Sequence, residues 1–262
     1  MISLERRDGR PLVIGHRGAA ALAPENTLAS FRAALAAGVD LIEFDVLSLH
    51  DGELAIAHSD DLHEVSHGAA RGTIGSMTLG DLREIAPDVP TLDEVLAFFA
   101  DEAPEVGVHV DLKSASALEG VAHALARFDL LGRSLVSSFH HAALRRLARL
   151  EPRVRTGASF PEDRLGISRR PRSGPVVSQG LRSLLPLTPL LVRPLLARSR
   201  ATVLVLKHEL VSPRTVGRAH ARGASVIAWT VDEPVHFSRV VTAGVDAVVT
   251  NDPSRFVSTL KT

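Results

Sequence analysis

The chain has 262 residues, of which 45% are hydrophobic and 23% charged, a composition typical of a globular domain and not of a disordered one. The 30 basic and 30 acidic residues cancel, which argues against nucleic-acid binding, and the absence of cysteine excludes disulfides and thiolate chemistry. Because neither the apolar stretch of a signal peptide nor a run of about 18 uncharged apolar residues occurs, we expect a cytoplasmic protein without a transmembrane segment.

The first predicted element is a short strand at residues 12–14, an apolar run without a polar break. It stops at Gly15-His16-Arg17-Gly18, and Pro24-Glu25-Asn26-Thr27 then precede a helix predicted from 27 to 37. A histidine exchanges protons near neutral pH, and an arginine binds phosphate through two hydrogen bonds. The pair His16–Arg17 therefore indicates a site where a strand meets a helix, although an ordinary polar loop would show the same residues.

The second predicted strand, residues 39–46, carries two acids among apolar residues. Glu43 and Asp45 are two positions apart and so project from the same face. Carboxylates that point into an interior are costly unless a cation or a basic group neutralises them, and hard oxygen ligands suit Mg2+ or Ca2+. The flanking apolar residues favour a metal site over an exposed strand edge with two solvated acids.

The next predicted strand, residues 54–57, follows the turn signal Asp51-Gly52 and ends at His58. Residues 59–88 show little periodicity. We therefore predict an insertion over the site, at about residues 49–88, in which His63 and His67 are solvated.

Further along, a helix is predicted from Thr91 to Ala100, followed by a strand at 106–113 in which Asp111 and Lys113 share one face. These two residues form either a plain ion pair or a third metal ligand and a phosphate anchor. Helices and strands then alternate, with strands at 134–138, 154–159, 202–207, 225–230 and 245–250, and helices at 116–130, 140–150, 214–222, 233–243 and 253–260.

Residues 160–200 interrupt this alternation with a proline- and leucine-rich stretch among arginines. We favour a buried, irregular connector with one helix over an apolar, basic lip that touches lipid. Pro186, Pro189 and Pro194 are expected to prevent a long amphipathic helix, so that at most weak contact with a membrane surface is expected.

About eight apolar strands that alternate with helices predict a single-domain (β/α)8 barrel over residues 1–262, and an open doubly wound sheet is the alternative. In a barrel, the carboxyl ends of the strands converge on one mouth, whereas an open sheet brings together only the strands at its switch point. The barrel would therefore gather His16, Arg17, Glu43, Asp45, His58, Asp111, Lys113, Lys207 and Trp229.

Ten motifs occur in a characteristic order over nearly the whole chain: His16-Arg17-Gly18, Pro24-Glu25-Asn26-Thr27, Glu43-Phe44-Asp45-Val46, Asp51-Gly52, His58, Asp111-Leu112-Lys113, Ser138-Phe139, Ala228-Trp229-Thr230-Val231, Gly244-Val245-Asp246 and Thr250-Asn251-Asp252-Pro253. In these motifs the chain resembles the glycerophosphodiester phosphodiesterase family. The resemblance implies a (β/α)8 barrel with a small insertion after the second strand. It also implies hydrolysis of a small-molecule glycerophosphodiester to glycerol 3-phosphate and an alcohol, with one divalent cation, Mg2+ or Ca2+.

The resemblance also implies a role for each site residue. His16 and His58 correspond to the acid–base pair, in either order. The remaining roles are metal ligation by Glu43, Asp45 and Asp111, phosphate contact by Arg17 and Lys113, and one wall of the glycerol pocket by Trp229.

Three departures from the family pattern leave the substrate open. Asp111 stands in Asp-Leu-Lys where the family usually has Glu-Ile-Lys, and this version resembles the related phospholipase D toxins. Ser59 replaces the aspartate that normally follows the second histidine, and Glu64-Val65-Ser66 replaces Arg-Thr-Thr. The alternatives are therefore cleavage of a lipid phosphodiester such as a lysophospholipid, or a non-enzymatic barrel that binds a phosphate ligand.

Overall fold

The computed structural model describes residues 2–162 and 174–260, with only the backbone described at 174–178 and 258–260. Within these ranges nine strands belong to one sheet. They are β1 (Leu12–Gly15), β2 (Leu41–Ser48), β3 (Leu54–Ile56), β4 (Gly107–Leu112), β5 (Ser134–Ser138), β6 (Arg155–Phe160), β7 (Val203–Lys207), β8 (Ser225–Trp229) and β9 (Ala247–Thr250).

Eight of these strands are parallel and close into a barrel. Their order around the ring is β1, β9, β8, β7, β6, β5, β4 and β2, and the pairing of Ile14 with Leu41 closes β1 onto β2. This confirms the predicted (β/α)8 barrel, because an open sheet would leave two parallel strands as edges.

Helices surround the barrel and connect its strands. Those in the described ranges are α1 (Leu28–Ala37), α2 (Leu62–Val65), α3 (Leu79–Ile85), α4 (Leu92–Asp101), α5 (Leu118–Arg127), α6 (His141–Leu150), α7 (Gly174–Leu184), α8 (Thr188–Ser199), α9 (Pro213–His220), α10 (Pro234–Thr242) and α11 (Ser254–Leu260). Single 3-10 turns lie at Ile74–Ser76, Ala115–Ala117, Leu131–Arg133 and His208–Leu210.

Caps confirm both predicted ends of α1 and the predicted start of α4. The Thr27 hydroxyl accepts a hydrogen bond from the Ser30 N–H at the start of α1, and Gly38 ends that helix with φ of 79°. At α4, Thr91 and Glu94 form a reciprocal capping box. These local signals fix where the chain leaves and re-enters the barrel.

Alternation along the strands separates two apolar cores. Phe44 of β2 points outward and packs against Phe31 and Phe99 between barrel and helices. Leu41 points inward and joins Leu4 in a cluster that fills the lower part of the barrel. Because the interior is closed by apolar side chains below, polar side chains on the same inward faces collect at the carboxyl ends, as is usual in this fold.

The third strand differs from the sequence prediction in direction. β3 runs antiparallel to β2, pairing Leu54 with Ser48 and Ile56 with Val46, and so stands outside the parallel ring. Residues 59–88, which show no clear periodicity in sequence, contain α2, the turn Ile74–Ser76 and α3, all short. They enclose a small apolar cluster of their own around Leu62, Ile74 and Leu82.

The connector between β6 and β7 also differs from expectation. The prediction of one helix is wrong, since α7 and α8 both form in the described part of the connector. Pro189 lies in the first turn of α8, where a missing N–H costs nothing, and Pro194 is accommodated inside the helix. The part of the prediction that concerns residues 163–173 lies outside the described residues.

No helix in the described ranges combines the length and the apolar character needed to cross a bilayer.

Candidate active site

The loop after β1 positions His16 and Arg17 through a tight turn. A Cβ on Gly15 would lie 2.2 Å from the Gly18 carbonyl oxygen, and Gly18 itself has φ of 88°. The Ser30 hydroxyl donates to the Arg17 carbonyl (2.6 Å) and accepts from the Ala19 N–H (2.9 Å). The first turn of α1 thereby holds the loop in place, and glycine is required at both bends.

Three carboxylates converge at the mouth, as the sequence predicted. Glu43 and Asp45 lie on the inward face of β2 towards its carboxyl end, and Asp111 lies beside Asp45 in register on β4. One oxygen of each lies within 4.8 Å of the others, and all three side chains are buried. Carboxylates buried this close repel each other and require a cation.

Two side-chain cations approach this cluster. Lys113 Nζ lies 2.6 Å from Asp111 Oδ2 and 2.8 Å from Asp45 Oδ1, while Arg17 Nε lies 3.2 Å from Asp45 Oδ2. Arg17 also donates from Nη1 to both oxygens of Glu25. Lys113 and Arg17 hold the pKa of Asp45 well below its usual value although burial opposes this. Of the two alternatives for Asp111 and Lys113, the structure shows the ion pair, which lies within the acidic cluster. Metal ligation by Asp111 and phosphate contact by Lys113 stay predictions.

The pKa of Glu43 is shifted in the direction opposite to that of Asp45. Burial, and then the charges of Asp45 and Asp111, raise its pKa well above the ordinary value. Among the hydrogen bonds of the described residues, its carboxylate accepts one, from the Arg17 N–H at 2.8 Å. Negative charge in the cluster therefore exceeds what Lys113 and Arg17 neutralise.

This imbalance fits a divalent cation. The donor set consists of carboxylate oxygens alone, which are the hard ligands that Mg2+ and Ca2+ prefer. Glu43, Asp45 and Asp111 are the three groups in the described ranges whose ligand atoms meet closely enough to hold an ion. The residues present therefore fit the group that the sequence analysis expected.

His58 reaches the site by a route that the sequence did not show. The antiparallel return of β3 brings the chain back down beside β2, where the Ala57 N–H donates to the Asp45 carbonyl. His58 Nδ1 then lies 3.5 Å from Asp45 Oδ2, an ion-pair distance that is too long for a good hydrogen bond. His58 thus reaches the mouth as predicted, but not as the end of a parallel strand.

His16 is held by two residues from the far end of the chain. Asn251 Nδ2 donates to Asp232 Oδ2 (2.7 Å), so its amide oxygen faces His16 Nδ1 at 2.6 Å. Since that oxygen only accepts, Nδ1 carries the proton and Nε2 is left with its lone pair. Burial, followed by the charge of Arg17, lowers the pKa of His16 to about 4, and the ring is therefore neutral at neutral pH.

Trp229 forms part of the opposite wall of the mouth. Its indole N–H donates to the Val205 carbonyl at 3.3 Å, and the Phe139 ring meets it edge to face at 6.3 Å. Lys207 Nζ lies over the indole, 5.0 Å from the ring centroid. The wall therefore combines an aromatic face with a positive charge.

Several supporting residues were not singled out from the sequence. Asn26 Nδ2 donates to Asp45 Oδ2 at 2.9 Å, and Ser137 Oγ donates to Asp111 Oδ1 at 2.8 Å. His109 Nε2 lies 2.9 Å from the Ser137 oxygen and completes a chain of contacts to Asp111. Asn26 and Asn251 belong to motifs noted above, whereas Ser137 and His109 carry no comparable sequence signal.

The mouth of the barrel joins buried carboxylates, two cations and two histidines, which are the groups that hydrolysis of a phosphoric diester with a bound divalent cation would use. In agreement with this, a model of the glycerophosphoryl diester phosphodiesterase family matches residues 16–255. The chain belongs to that family.

Similar proteins agree over nearly their full lengths. A glycerophosphodiester phosphodiesterase of Caldanaerobacter subterraneus is 26% identical over 96% of this chain and 98% of the relative. The crystal structure of a putative glycerophosphoryl diester phosphodiesterase from Silicibacter pomeroyi, also 26% identical, gives a TM-score of 0.76 over 98% of this chain and 96% of that one. A phosphodiesterase from Oleispira antarctica, in complex with the product sn-glycerol-3-phosphate, gives 0.73 at 23% identity over 96% and 97% of the two chains.

Proposed function

We propose that this protein hydrolyses glycerophosphodiesters to glycerol 3-phosphate and an alcohol, with a divalent cation bound by Glu43, Asp45 and Asp111. The observation that carries the proposal is the convergence of these acids with Lys113, Arg17 and both histidines at one barrel mouth. The product seen in the Oleispira antarctica phosphodiesterase is the one that this reaction releases.

Arg17 and Lys113 would bind the phosphate. Both are nearly buried cations at the rim of the acidic cluster, and the carboxylates of Asp111, Asp45 and Glu43 keep the pKa of Lys113 above its usual value despite burial. Their charge is therefore permanent at any working pH. When bound, Mg2+ or Ca2+ would supply further positive charge to stabilise the negative charge that develops on the phosphate oxygens.

His16 would act as the general base and His58 as the general acid. The neutral His16 ring presents an unprotonated Nε2, as a base requires, because Asn251 fixes its proton on Nδ1. It would remove the proton of the nucleophile, either water or the C2 hydroxyl of the substrate. His58, beside the charged Asp45, would donate a proton to the leaving alcohol.

Trp229 would pack against the glycerol, and residues 49–88 would form the insertion that borders the pocket of this single barrel domain. We further propose that the protein acts in the cytoplasm on a small molecule and does not bind nucleic acid, in line with its zero net charge. Cleavage of lysophospholipids is the second candidate, favoured by exposed leucines near the mouth. A barrel that only binds a phosphate ligand would not need a histidine whose proton is fixed on Nδ1, as it is in His16.

Two measurements on the purified protein test the proposal. Release of glycerol 3-phosphate from glycerophosphodiesters should require Mg2+ or Ca2+ and stop with a chelator, and lysophospholipids serve as the competing substrate. Independently of turnover, the cation should raise the melting temperature, since a ligand at 100 times its Kd contributes about 2.7 kcal/mol of stability.

Glu43→Gln should abolish both the activity and the cation-induced stabilisation while the protein without cation remains folded. Glu25→Gln, which changes an exposed partner of Arg17, is the matched control and should retain the cation-induced stabilisation. Full activity in metal-free protein would refute the proposed metal requirement.

A further inference from the structure

The most exposed large apolar side chains of the described residues are unevenly distributed. Leu184, Leu187 and Leu190 are 39%, 52% and 58% exposed and lie close together in the chain, since Leu184 is the last residue of α7, Leu187 lies between the helices and Leu190 is in the first turn of α8. We call these three residues the leucine ridge. Exposed leucines scattered singly are ordinary, but a contiguous group marks an interaction surface.

Backbone hydrogen bonds place the ridge residues on one side. The Leu187 N–H donates to the Leu184 carbonyl (3.0 Å), and the Leu190 N–H donates to the Leu187 carbonyl (2.9 Å). Side chains three residues apart eclipse each other in this 3-10 pattern. Arg193, also exposed, lies three residues further on in α8 and adds a positive charge beside the ridge.

The ridge lies on the mouth side of the barrel. α8 leads back to the amino end of β7, so its first turn lies at the opposite, carboxyl end of the strands. α7 packs against the turn His208–Leu210, which follows β7 at the mouth. Leu22 and Val235, exposed by 50% and 70%, follow β1 and β8 and so belong to the same face.

The charge of the chain around the leucine ridge indicates which kind of partner binds there. From Gly174 to Lys207 the chain has no acidic residue, although the whole chain is balanced. Of the five basic residues in this stretch, Arg182, Arg193 and Lys207 lie towards the mouth, whereas Arg198 and Arg200 lie at the other end of α8. Leucines flanked by arginines suit the boundary of an anionic bilayer, where apolar side chains enter the acyl region and guanidinium groups stay among the headgroups.

We propose that the leucine ridge docks the mouth of the barrel on an anionic lipid surface. This is a stronger contact than the sequence analysis expected, because the leucines of the ridge are exposed and not buried. Docking would present the mouth to phosphodiesters released at, or embedded in, that surface. It does not depend on the proposed hydrolysis, because binding to vesicles is measured without turnover.

Co-sedimentation of the full-length protein with vesicles tests this proposal. The protein should pellet with vesicles of equal parts phosphatidylglycerol and phosphatidylcholine, and much less with phosphatidylcholine alone or at high salt. The triple variant Leu184→Ser/Leu187→Ser/Leu190→Ser should lower the vesicle partition coefficient by roughly 100-fold. Arg193→Gln, which leaves the ridge intact, should lower it about fivefold.

Matched controls come from the same chain. Leu150→Ser changes a leucine that is 52% exposed at the carboxyl end of α6, at the end of the barrel opposite to the mouth. Arg198→Gln changes an exposed arginine at the other end of α8. Both controls should bind like the unchanged protein, and all variants should hydrolyse a water-soluble glycerophosphodiester equally well.

Three results would overturn the proposal. They are failure to pellet with the anionic vesicles, pelleting that the triple variant does not weaken, and a dimer in size-exclusion chromatography that the triple variant dissociates. The last result would assign the ridge to a second copy of the chain.

Discussion

At the scale of single residues, the contact between His16 and Asn251 decides which imidazole nitrogen carries the proton. The amide oxygen of Asn251 accepts from Nδ1, and Asp232 holds that amide in one orientation. Because the pKa of His16 is lowered to about 4, the neutral ring persists well below the usual range of histidine. The supply of general base is therefore complete at neutral pH and is lost only as the pH falls through about 4.

Asn251→Asp should move the acid limb of the kcat/KM profile upward. A carboxylate beside Nδ1 favours the imidazolium, so the pKa of His16 rises and the base is lost at a higher pH. The measurement is kcat/KM between pH 4 and 7 on a glycerophosphodiester. Asp252→Asn is the control, since Asp252 pairs with Arg255 and not with the histidine. An acid limb that stays in place in Asn251→Asp would show that His16 is not the titrating base.

Leaving-group chemistry should separate the two histidines. His58→Ala is expected to lower the rate by roughly 10²–10⁴ on a substrate with a poor leaving alcohol, the usual contribution of one general acid. A diester of nitrophenol needs little protonation and should be cleaved by His58→Ala almost normally. His16→Ala should be slow on both substrates because it lacks the base. Rescue of His16→Ala in place of His58→Ala would reverse the proposed roles.

The sequence indicated the three carboxylates, both histidines and both cations because each stands beside an apolar strand. It did not indicate how they are held. The partner of His16 lies 235 positions away, and no periodicity marks such a contact. Ser137, which supports Asp111, is one of many serines in the chain. Supporting contacts of this kind depend on the register between strands, which only the folded barrel defines.

At the scale of elements, the turn His208–Leu210 follows β7 and contacts α7 and α10. The His208 ring stacks on His236 of α10 with centroids 4.4 Å apart, and Arg239 Nη2 lies 3.1 Å from its Nδ1. Burial lowers the pKa of His208 to about 4, and the charges of His236, Arg239 and Lys207 act in the same direction against Glu209. The folded protein therefore holds His208 neutral.

The free energy of unfolding should therefore fall in acid through His208. The unfolded chain protonates His208 below about 6.5, so unfolding takes up a proton between that pH and about 4. The stabilisation is complete above pH 6.5 and declines as the pH falls, by at most about 1.4 kcal/mol per pH unit. Urea unfolding at pH 5 and 7 should show a smaller pH dependence in His208→Gln. Equal pH dependence in the two proteins would show that His208 does not contribute.

Two elements show what periodicity alone misses. β3 has the apolar pattern of a strand, but a short strand after a turn can pair in either direction, and the hairpin with β2 made it antiparallel. In the connector, the prolines suggested a broken helix, yet Pro189 falls in the first turn of α8, where proline is tolerated. In both cases the residue types predicted the kind of element correctly or warned of a break. The direction of β3 and the continuity of α8 depended on where those residues lie within the element.

At the scale of the whole molecule, stability and chemistry occupy opposite ends of the barrel. The lower interior is closed by Leu4, Leu12, Ile14 and their inward neighbours, and a Cβ on Gly107 would lie 2.5 Å from Ile2. The acids, cations and histidines lie at the other end, on the same strands. The apolar cluster at the bottom fixes the register of the strands. The same strands can therefore hold the charged side chains at the mouth in place.

Leu4→Ala should therefore destabilise the protein without changing its chemistry. The side chain is fully buried, and its truncation is expected to cost about 3 kcal/mol of the free energy of unfolding and to lower the Tm by roughly 5–10 °C. At 25 °C, kcat/KM should remain within about twofold of the unchanged protein. Leu150→Ala, at a half-exposed position, is the matched control and should change neither quantity. A large fall in kcat/KM at a temperature where Leu4→Ala is fully folded would show that the bottom of the barrel shapes the mouth, contrary to this division.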